Sequence, residues 1–203
     1  MERRSFIKKS AVAASLMGVG MQGINAISSP DKNGLTSGHD FNLNYAPHFG
    51  MFKNHAGNDP IDQLNFMADQ GFTAFEDNEM RNRPVNEQSQ IAATLEALGM
   101  QMGVFVAHKI YWDFPNLTSG DKNYRDQFIK DIKDSIDVAK RVNAKWMTVV
   151  PGHVDLGKES AYQTANVIEA LRRASEVLEP HDLIMVLEPL NWWSNHAGQF
   201  SSA

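Results

Sequence analysis

Ionisable side chains that could carry chemistry follow the ends of several short apolar runs in this sequence. His48, Glu76, His108, His153 and Glu188 each stand at or just beyond such a run. Carboxylates and imidazoles can take up and return protons near neutral pH, and both bind divalent cations. Because the carboxyl ends of parallel strands meet at one rim of a barrel, the sequence predicts a site there.

The elements that must position these residues alternate between short strands and longer helices. Apolar residues recur at helical spacing in four segments, as they do at Ile91, Leu95 and Leu98. The predicted strands are rich in Val, Ile, Phe or Met and cover 41–46, 72–76, 102–107, 146–150 and 184–188. This alternation predicts an α/β fold with a parallel sheet. Since no glycine-rich nucleotide motif follows the first strand, a (β/α)₈ TIM barrel is favoured over an open sheet.

The number of strands falls short of a complete barrel. Such a barrel has eight strands and about 250 residues, whereas the 203 residues here contain only the five predicted strands. We therefore expect the chain to be C-terminally truncated and to hold the first five βα units. A homo-oligomer in which a second copy completes the barrel is the alternative.

The N-terminal region is predicted to be an export signal. Residues 3–8 read RRSFIK, and the uncharged stretch 11–21 is too short to span a bilayer. This pattern resembles a twin-arginine signal, although a basic tail with a chance arginine pair is the alternative. We expect a signal peptide over 1–26, a linker over 27–40 and the barrel domain over 41–203. The expected location is the periplasm, without a stable membrane anchor after cleavage.

Composition and charge are those of a globular protein that does not bind nucleic acid. Hydrophobic residues make up 42% of the chain and charged residues 21%, which excludes low-complexity and collagen-like classes. The net charge of −5 is opposite to the basic surface that binding to phosphates requires. The absence of cysteine excludes a thiolate metal site.

Four stretches at the predicted strand ends resemble the xylose-isomerase-like TIM-barrel family. Within that family the likeness is closest to hydroxypyruvate isomerase and related exported sugar isomerases and epimerases. The stretches are FNLNYAPHFGMF at 41–52, GFTAFEDNEM at 71–80, TVVPGHVDL at 148–156 and MVLEPLNWW at 185–193. The most specific part is LEPLN at 187–191, where the family has a glutamate that binds a divalent metal and transfers a proton. The resemblance assigns both roles to Glu188.

The resemblance implies an isomerase that moves a proton through an enediolate. Glu188 would take a proton from the carbon beside a carbonyl and return it to the neighbouring carbon. A divalent ion, Mg²⁺, Mn²⁺ or Zn²⁺, would offset the developing charge. The implied substrate is a carbohydrate or a hydroxy-ketoacid such as hydroxypyruvate. Because the family's other ligands come from later strands, the chain as given is expected to be inactive.

Further residues are predicted to bind the substrate, and each has a structural alternative. The predicted substrate-binding residues are His48, Glu76, His108, His153, Asn191 and Trp192. As structural alternatives, the three histidines could be hydrogen-bonded within the fold, Glu76 could cap a helix, and Trp192 could pack in the core. Two other classes stay open: a sugar-binding barrel without catalysis, and an apurinic-site endonuclease-like metal enzyme, which the acidic charge disfavours.

Overall fold

The computed structural model describes residues 41–191 and 196–200. The predicted signal over 1–26, the linker over 27–40 and Trp192 lie outside the described residues. Within the described part, no helix is both long and apolar enough to cross a membrane.

Helices and parallel strands alternate along the described chain. In order they are α1 (Lys53–Ala56), α2 (Pro60–Asp69), β1 (Ala74–Phe75), α3 (Val85–Leu98), β2 (Gln101–Met102), α4 (Lys122–Val142), β3 (Trp146–Val149), α5 (Ser160–Leu178) and β4 (Ile184–Leu187). Short 3₁₀ helices cover Met80–Asn82, Leu117–Ser119 and Glu179–His181. The predicted α/β alternation is confirmed.

Neighbouring strands in the sequence are also neighbours in space. β1 pairs with β2 and β3 pairs with β4, both in parallel. A parallel bridge between Val106 and Thr148 joins the segment after β2 to β3. There the Thr148 N–H donates to the Phe105 carbonyl at 2.7 Å. The carboxyl ends of all four strands consequently lie along one edge.

The predicted first strand, 41–46, does not form. In its place, one parallel bridge joins His48 to Glu76, and the Glu76 N–H donates to the Pro47 carbonyl at 3.1 Å. An apolar run adopts a buried strand only where other elements cover it. Leu43 and Tyr45 are exposed, so the side chains that suggested a strand have no covering layer here.

The long helices bury the apolar stripes from which they were predicted. α4 begins after Asp121, whose carboxylate accepts a hydrogen bond from the Asn123 N–H at 2.7 Å. Its stripe reaches the core at Ile132, which is fully buried together with Ile91 of α3 and Met147 of β3. This core holds the strands in place beneath the helices.

β4 is an edge strand in the described part of the chain. No described strand pairs with its second edge, and the exposed fractions of Ile184, Val186 and Leu187 are 44%, 38% and 40%. Glu188 follows directly at its carboxyl end, beside the ends of the other strands.

Candidate functional site

A cavity of about 520 Å³ lies at the carboxyl ends of the strands. The segments that follow each of the four strands contribute to its lining, which includes Arg81, His108, Lys109, Trp112, Glu188 and His196. Ligands of parallel α/β folds bind at this end of the sheet. The cavity is therefore the candidate active site.

Glu188 lines this cavity immediately after β4. Its backbone N–H donates to the Val149 carbonyl at 3.0 Å, which holds the residue beside the end of β3. Its side chain is exposed, so a ligand in the cavity can reach the carboxylate.

Glu76 lies close enough to His48 and Glu188 for their charges to act on it. Burial raises the pKa of Glu76 above its ordinary value; His48 opposes this effect, and the negative charge of Glu188 adds to it. The His48 ring is tied locally, with Nδ1 at 2.9 Å from the Phe49 carbonyl oxygen. Two residues singled out in the sequence, His48 and Glu188, thus act on a third, Glu76. A carboxyl group of raised pKa beside a second carboxylate is suited to holding a proton.

His108 reaches the cavity, but both of its ring nitrogens are engaged within the protein. Nε2 accepts a hydrogen bond from the Val150 N–H at 3.0 Å, so Nδ1 carries the proton and donates to the Lys109 carbonyl at 2.9 Å. Burial lowers the pKa of His108 to about 4. In this arrangement both ring nitrogens are engaged by backbone groups, and substrate binding by His108 stays a prediction.

His153 and Asn191 lie outside the lining of this cavity. His153 forms an antiparallel bridge with Gln199, and its Nδ1 lies 2.8 Å from the Val154 carbonyl oxygen. Asn191 is exposed, and its carbonyl accepts from the His196 N–H at 3.0 Å. Trp192 lies outside the described residues. Substrate binding by these three residues stays a prediction.

Two basic residues that the sequence pattern did not single out also line the cavity. Arg81 lies in the 3₁₀ helix after β1, and its Nη2 donates to Oδ1 of Asp131 at 2.7 Å. Lys109 follows β2, and its Nζ lies 4.8 Å from the centroid of the Tyr111 ring. Both residues follow predicted strands, and this position was the feature of the sequence that could have identified them.

An aromatic pair forms part of the cavity wall. The rings of Trp112 and His196 are stacked, with centroids 5.2 Å apart and an interplanar angle of 24°. Such a surface can pack against the C–H groups of a sugar. No sequence signal could have joined these two residues, because they are distant in the chain and lie in irregular segments.

The described residues do not form a complete metal site. Within 41–191 and 196–200, no group of three or more His, Asp or Glu side chains is placed to hold an ion. Glu76 and Glu188 offer carboxylate oxygens, which suit Mg²⁺ or Mn²⁺. Two carboxylates nevertheless fall short of the three protein ligands of a typical catalytic zinc site.

Comparison with known proteins shows that this chain is similar to TIM-barrel proteins. The model of a family described as xylose isomerase-like TIM barrel matches residues 64–203. A family 2 AP endonuclease from Brucella melitensis is similar, with 18% identity, a TM-score of 0.59, and coverage of 76% of this chain and 58% of that one. D-psicose 3-epimerase with D-tagatose, from Clostridium cellulolyticum H10, shows 15% identity, a TM-score of 0.58, and coverage of 76% and 55%. The apo form of 3-keto-D-glucoside 4-epimerase from E. coli shows 16% identity, a TM-score of 0.58, and coverage of 76% and 59%.

These likenesses confirm the predicted TIM-barrel class, and at such identities they show the fold alone. The chain spans between 55% and 59% of the length of these three solved chains. No curated protein matches the sequence.

Proposed function

The chain belongs to the xylose isomerase-like TIM barrel family, and we propose that the protein is a sugar or hydroxy-ketoacid isomerase or epimerase. The reaction removes a proton from the carbon beside a carbonyl and passes through an enediolate. Return of the proton to the neighbouring carbon isomerises the substrate, and return to the other face of the same carbon epimerises it. Glu188 is the proposed base.

The position of Glu188 is the observation that carries this proposal. An exposed carboxylate lines a cavity at the strand ends, and a second carboxyl group, Glu76, feels its charge. A base must reach its substrate, and a neighbour with a raised pKa can keep a proton available for the enediolate oxygen. Two structural neighbours, a D-psicose 3-epimerase and a 3-keto-D-glucoside 4-epimerase, support this reaction class.

Hydroxypyruvate and ketoses are the substrates we propose, on the sequence likeness to hydroxypyruvate isomerase. Both have a proton on a carbon beside a carbonyl. A divalent cation would lower the energy of the enediolate by offsetting its charge. Glu188 is the carboxylate that this chain is proposed to contribute to such an ion, although the described residues do not complete the site.

Export to the periplasm by the twin-arginine route is proposed from the sequence alone. The support is the Arg3-Arg4 pair, followed by Phe6 and Lys8 ahead of an uncharged stretch. Replacing both arginines with lysine should leave the protein in the cytoplasm, as measured by cell fractionation. A periplasmic double variant would contradict the proposal.

Proton exchange with solvent tests the enzymatic proposal. The full-length protein, with the later strands that are expected to supply the other ligands, is incubated in heavy water with Mn²⁺ and either hydroxypyruvate or D-fructose. Loss of the proton signal beside the carbonyl is followed by NMR. Glu188→Gln should slow exchange by about 10²–10⁴-fold, because an amide cannot act as the base. Glu169→Gln, on the exposed face of α5, is the control.

The outcomes separate the proposed function from its alternatives. If exchange is as fast in Glu188→Gln as in the unaltered protein, Glu188 is not the base. Sugar binding without exchange in the unaltered protein would indicate a non-catalytic binding barrel. Loss of exchange after chelation and its recovery with Mn²⁺ would support the cation, and unchanged exchange after chelation would remove it from the proposal.

A further inference from the structure

Arg81 and Glu188 line the same cavity. The guanidinium of Arg81 forms an ion pair with the buried carboxylate of Asp131. Arg81 Nη2 donates to Asp131 Oδ1 at 2.7 Å, and the exposed fractions of the two side chains are 20% and 4%. Arg81 follows β1, Asp131 belongs to α4, and Glu188 follows β4. The segment after β1 and the paired carboxylate on α4 therefore set the position of this guanidinium, and it shares the cavity with Glu188.

Asp131 is itself held by further hydrogen bonds. Its Oδ1 also accepts from Gln127 Nε2 at 2.9 Å, and its Oδ2 accepts from the Lys109 N–H at 3.0 Å. A carboxylate with this many donors has little rotational freedom, so the arginine it pairs with is preorganised. The same carboxylate ties the backbone of Lys109, the second basic residue of the cavity, to Arg81.

The hydrogen-bonding capacity of Arg81 is only partly used. Asp131 is its one hydrogen-bond partner in the described chain, and its Nε is buried there without a partner. A guanidinium has five N–H donors in one plane, and buried donors are normally satisfied. The side chain is 20% exposed and lines the cavity, so N–H groups other than the buried Nε are the donors that a ligand there can meet.

None of the hydrogen bonds described for the other charged residues of the cavity uses the remaining N–H donors of Arg81. Glu79 also lines it, but its Oε2 accepts from Asn82 Nδ2 at 3.0 Å. Glu188 contributes its carboxylate from the segment after β4, and Lys109 contributes a second cation from the segment after β2.

We propose that Arg81, supported by Lys109, binds an anionic group of the substrate, a carboxylate or a phosphate monoester, while Glu188 acts on the carbon beside the carbonyl. This inference rests on the proposed function and narrows its proposed substrates, hydroxypyruvate and ketoses, to those that carry an anionic group. Planar guanidinium donors match the oxygens of both anions and give a charge-assisted contact. A neutral ketose offers only hydroxyl groups to the same donors.

Calorimetric titration of the full chain with three probes tests this inference. The probes are hydroxypyruvate, D-fructose 6-phosphate and D-fructose, which carry a carboxylate, a phosphate and no charge. We expect at least one anion to bind more tightly than D-fructose. Arg81→Gln should weaken that anion by about tenfold or more, while changing the affinity for D-fructose less than about twofold.

Two further variants guard against a merely structural effect. Arg81→Gln leaves Asp131 buried without its cation, so the double variant Arg81→Gln/Asp131→Asn removes both charges and should show the same selective loss. Arg81→Lys keeps the charge but not the planar fork, and should lose part of the anion affinity. Arg173→Gln on α5, where Nε pairs with Glu169 at 2.7 Å, is the matched control and should change nothing.

Each result decides the inference. Selective loss for hydroxypyruvate alone assigns a carboxylate, and selective loss for D-fructose 6-phosphate alone assigns a phosphate. Equal weakening of all three probes, no weakening, or no anion preference in the unaltered protein would overturn the role of Arg81. The proton-exchange assay reports separately on the two proposals. Anion binding through Arg81 without exchange would overturn only the isomerase. Exchange on the preferred anionic substrate at a subsaturating concentration, if it is not slowed by Arg81→Gln, would overturn only this inference.

Discussion

The imidazole Nε2 of His108 accepts a hydrogen bond from the backbone N–H of Val150 at 3.0 Å. The bond joins the segment after β2 to the segment after β3, at the floor of the candidate site. Because Nδ1 donates to the Lys109 carbonyl, the neutral ring connects two backbone segments. The ring is also in edge contact with Phe128 of α4. His108 thereby couples the shape of the cavity to the core.

Stability is expected to fall as the pH is lowered through the acidic range. The pKa of buried His108 is about 4, and that of a histidine in an unfolded chain is about 6.5. Between these values the unfolded chain binds a proton that the folded chain does not. The neutral His108 therefore stabilises the folded state. Its contribution to the free energy of unfolding is present in full above pH 6.5 and is lost progressively towards pH 4, by on the order of 3 kcal/mol. Urea unfolding at about pH 7.5 and about pH 5 measures it.

A glutamine at position 108 should flatten this dependence, because it does not titrate. His181→Gln is the control, since that histidine is exposed. If His108→Gln and the unaltered protein lose the same free energy of unfolding between the two pH values, other groups set the dependence.

Removal of the Asp131 carboxylate should destabilise the fold strongly. Asp131→Ala leaves the guanidinium of Arg81 and the N–H of Lys109 without their acceptor, at an expected cost of about 3–5 kcal/mol in the free energy of unfolding. Asp134→Ala on the same helix removes an exposed partner of Lys130 and should cost less than about 1 kcal/mol. Denaturant unfolding compares them, and equal effects would contradict the pairing described for Asp131.

The titration of Glu76 should respond to its two neighbours in opposite directions. Glu188→Gln removes a negative charge and should lower the pKa of Glu76, whereas His48→Gln removes an opposing influence and should raise it. NMR titration of the glutamate side-chain carboxyl carbons measures both shifts, with Glu87→Gln as a control. An unchanged Glu76 in both variants would show that these groups do not interact.

A side chain at position 152 should disturb the loop after β3. Gly152 has a φ of +101°, and a Cβ there would lie 1.9 Å from Oδ1 of buried Asn116. Gly152→Ala therefore combines backbone strain of about 1–3 kcal/mol with a steric clash. Gly57→Ala is the matched control, because its φ is +76° but nothing lies within 4 Å. Thermal unfolding should show the larger loss for Gly152→Ala, and equal losses would contradict the packing of Asn116.

Local periodicity made most of the fold predictable from the sequence. The stripe through Phe128 and Ile132 predicted α4, and the run at 146–150 predicted β3 to within one residue. These signals succeed because a helix or strand shows which of its own faces must be buried. The run at 41–46 was also predicted to be a strand but forms none, since burial also depends on neighbours that a local pattern cannot report.

The sequence by itself determined the order of the elements, the TIM-barrel class and the placement of Glu188 just beyond a strand end. Only the tertiary structure decided that His108 turns both nitrogens inward, and that Arg81 pairs with Asp131, 50 residues away. The stacking of the Trp112 ring on the His196 ring was likewise decided only by the tertiary structure. The physical reason is that apolar spacing encodes the faces of single elements, whereas the environment of a polar side chain arises from segments that packing brings together across the chain.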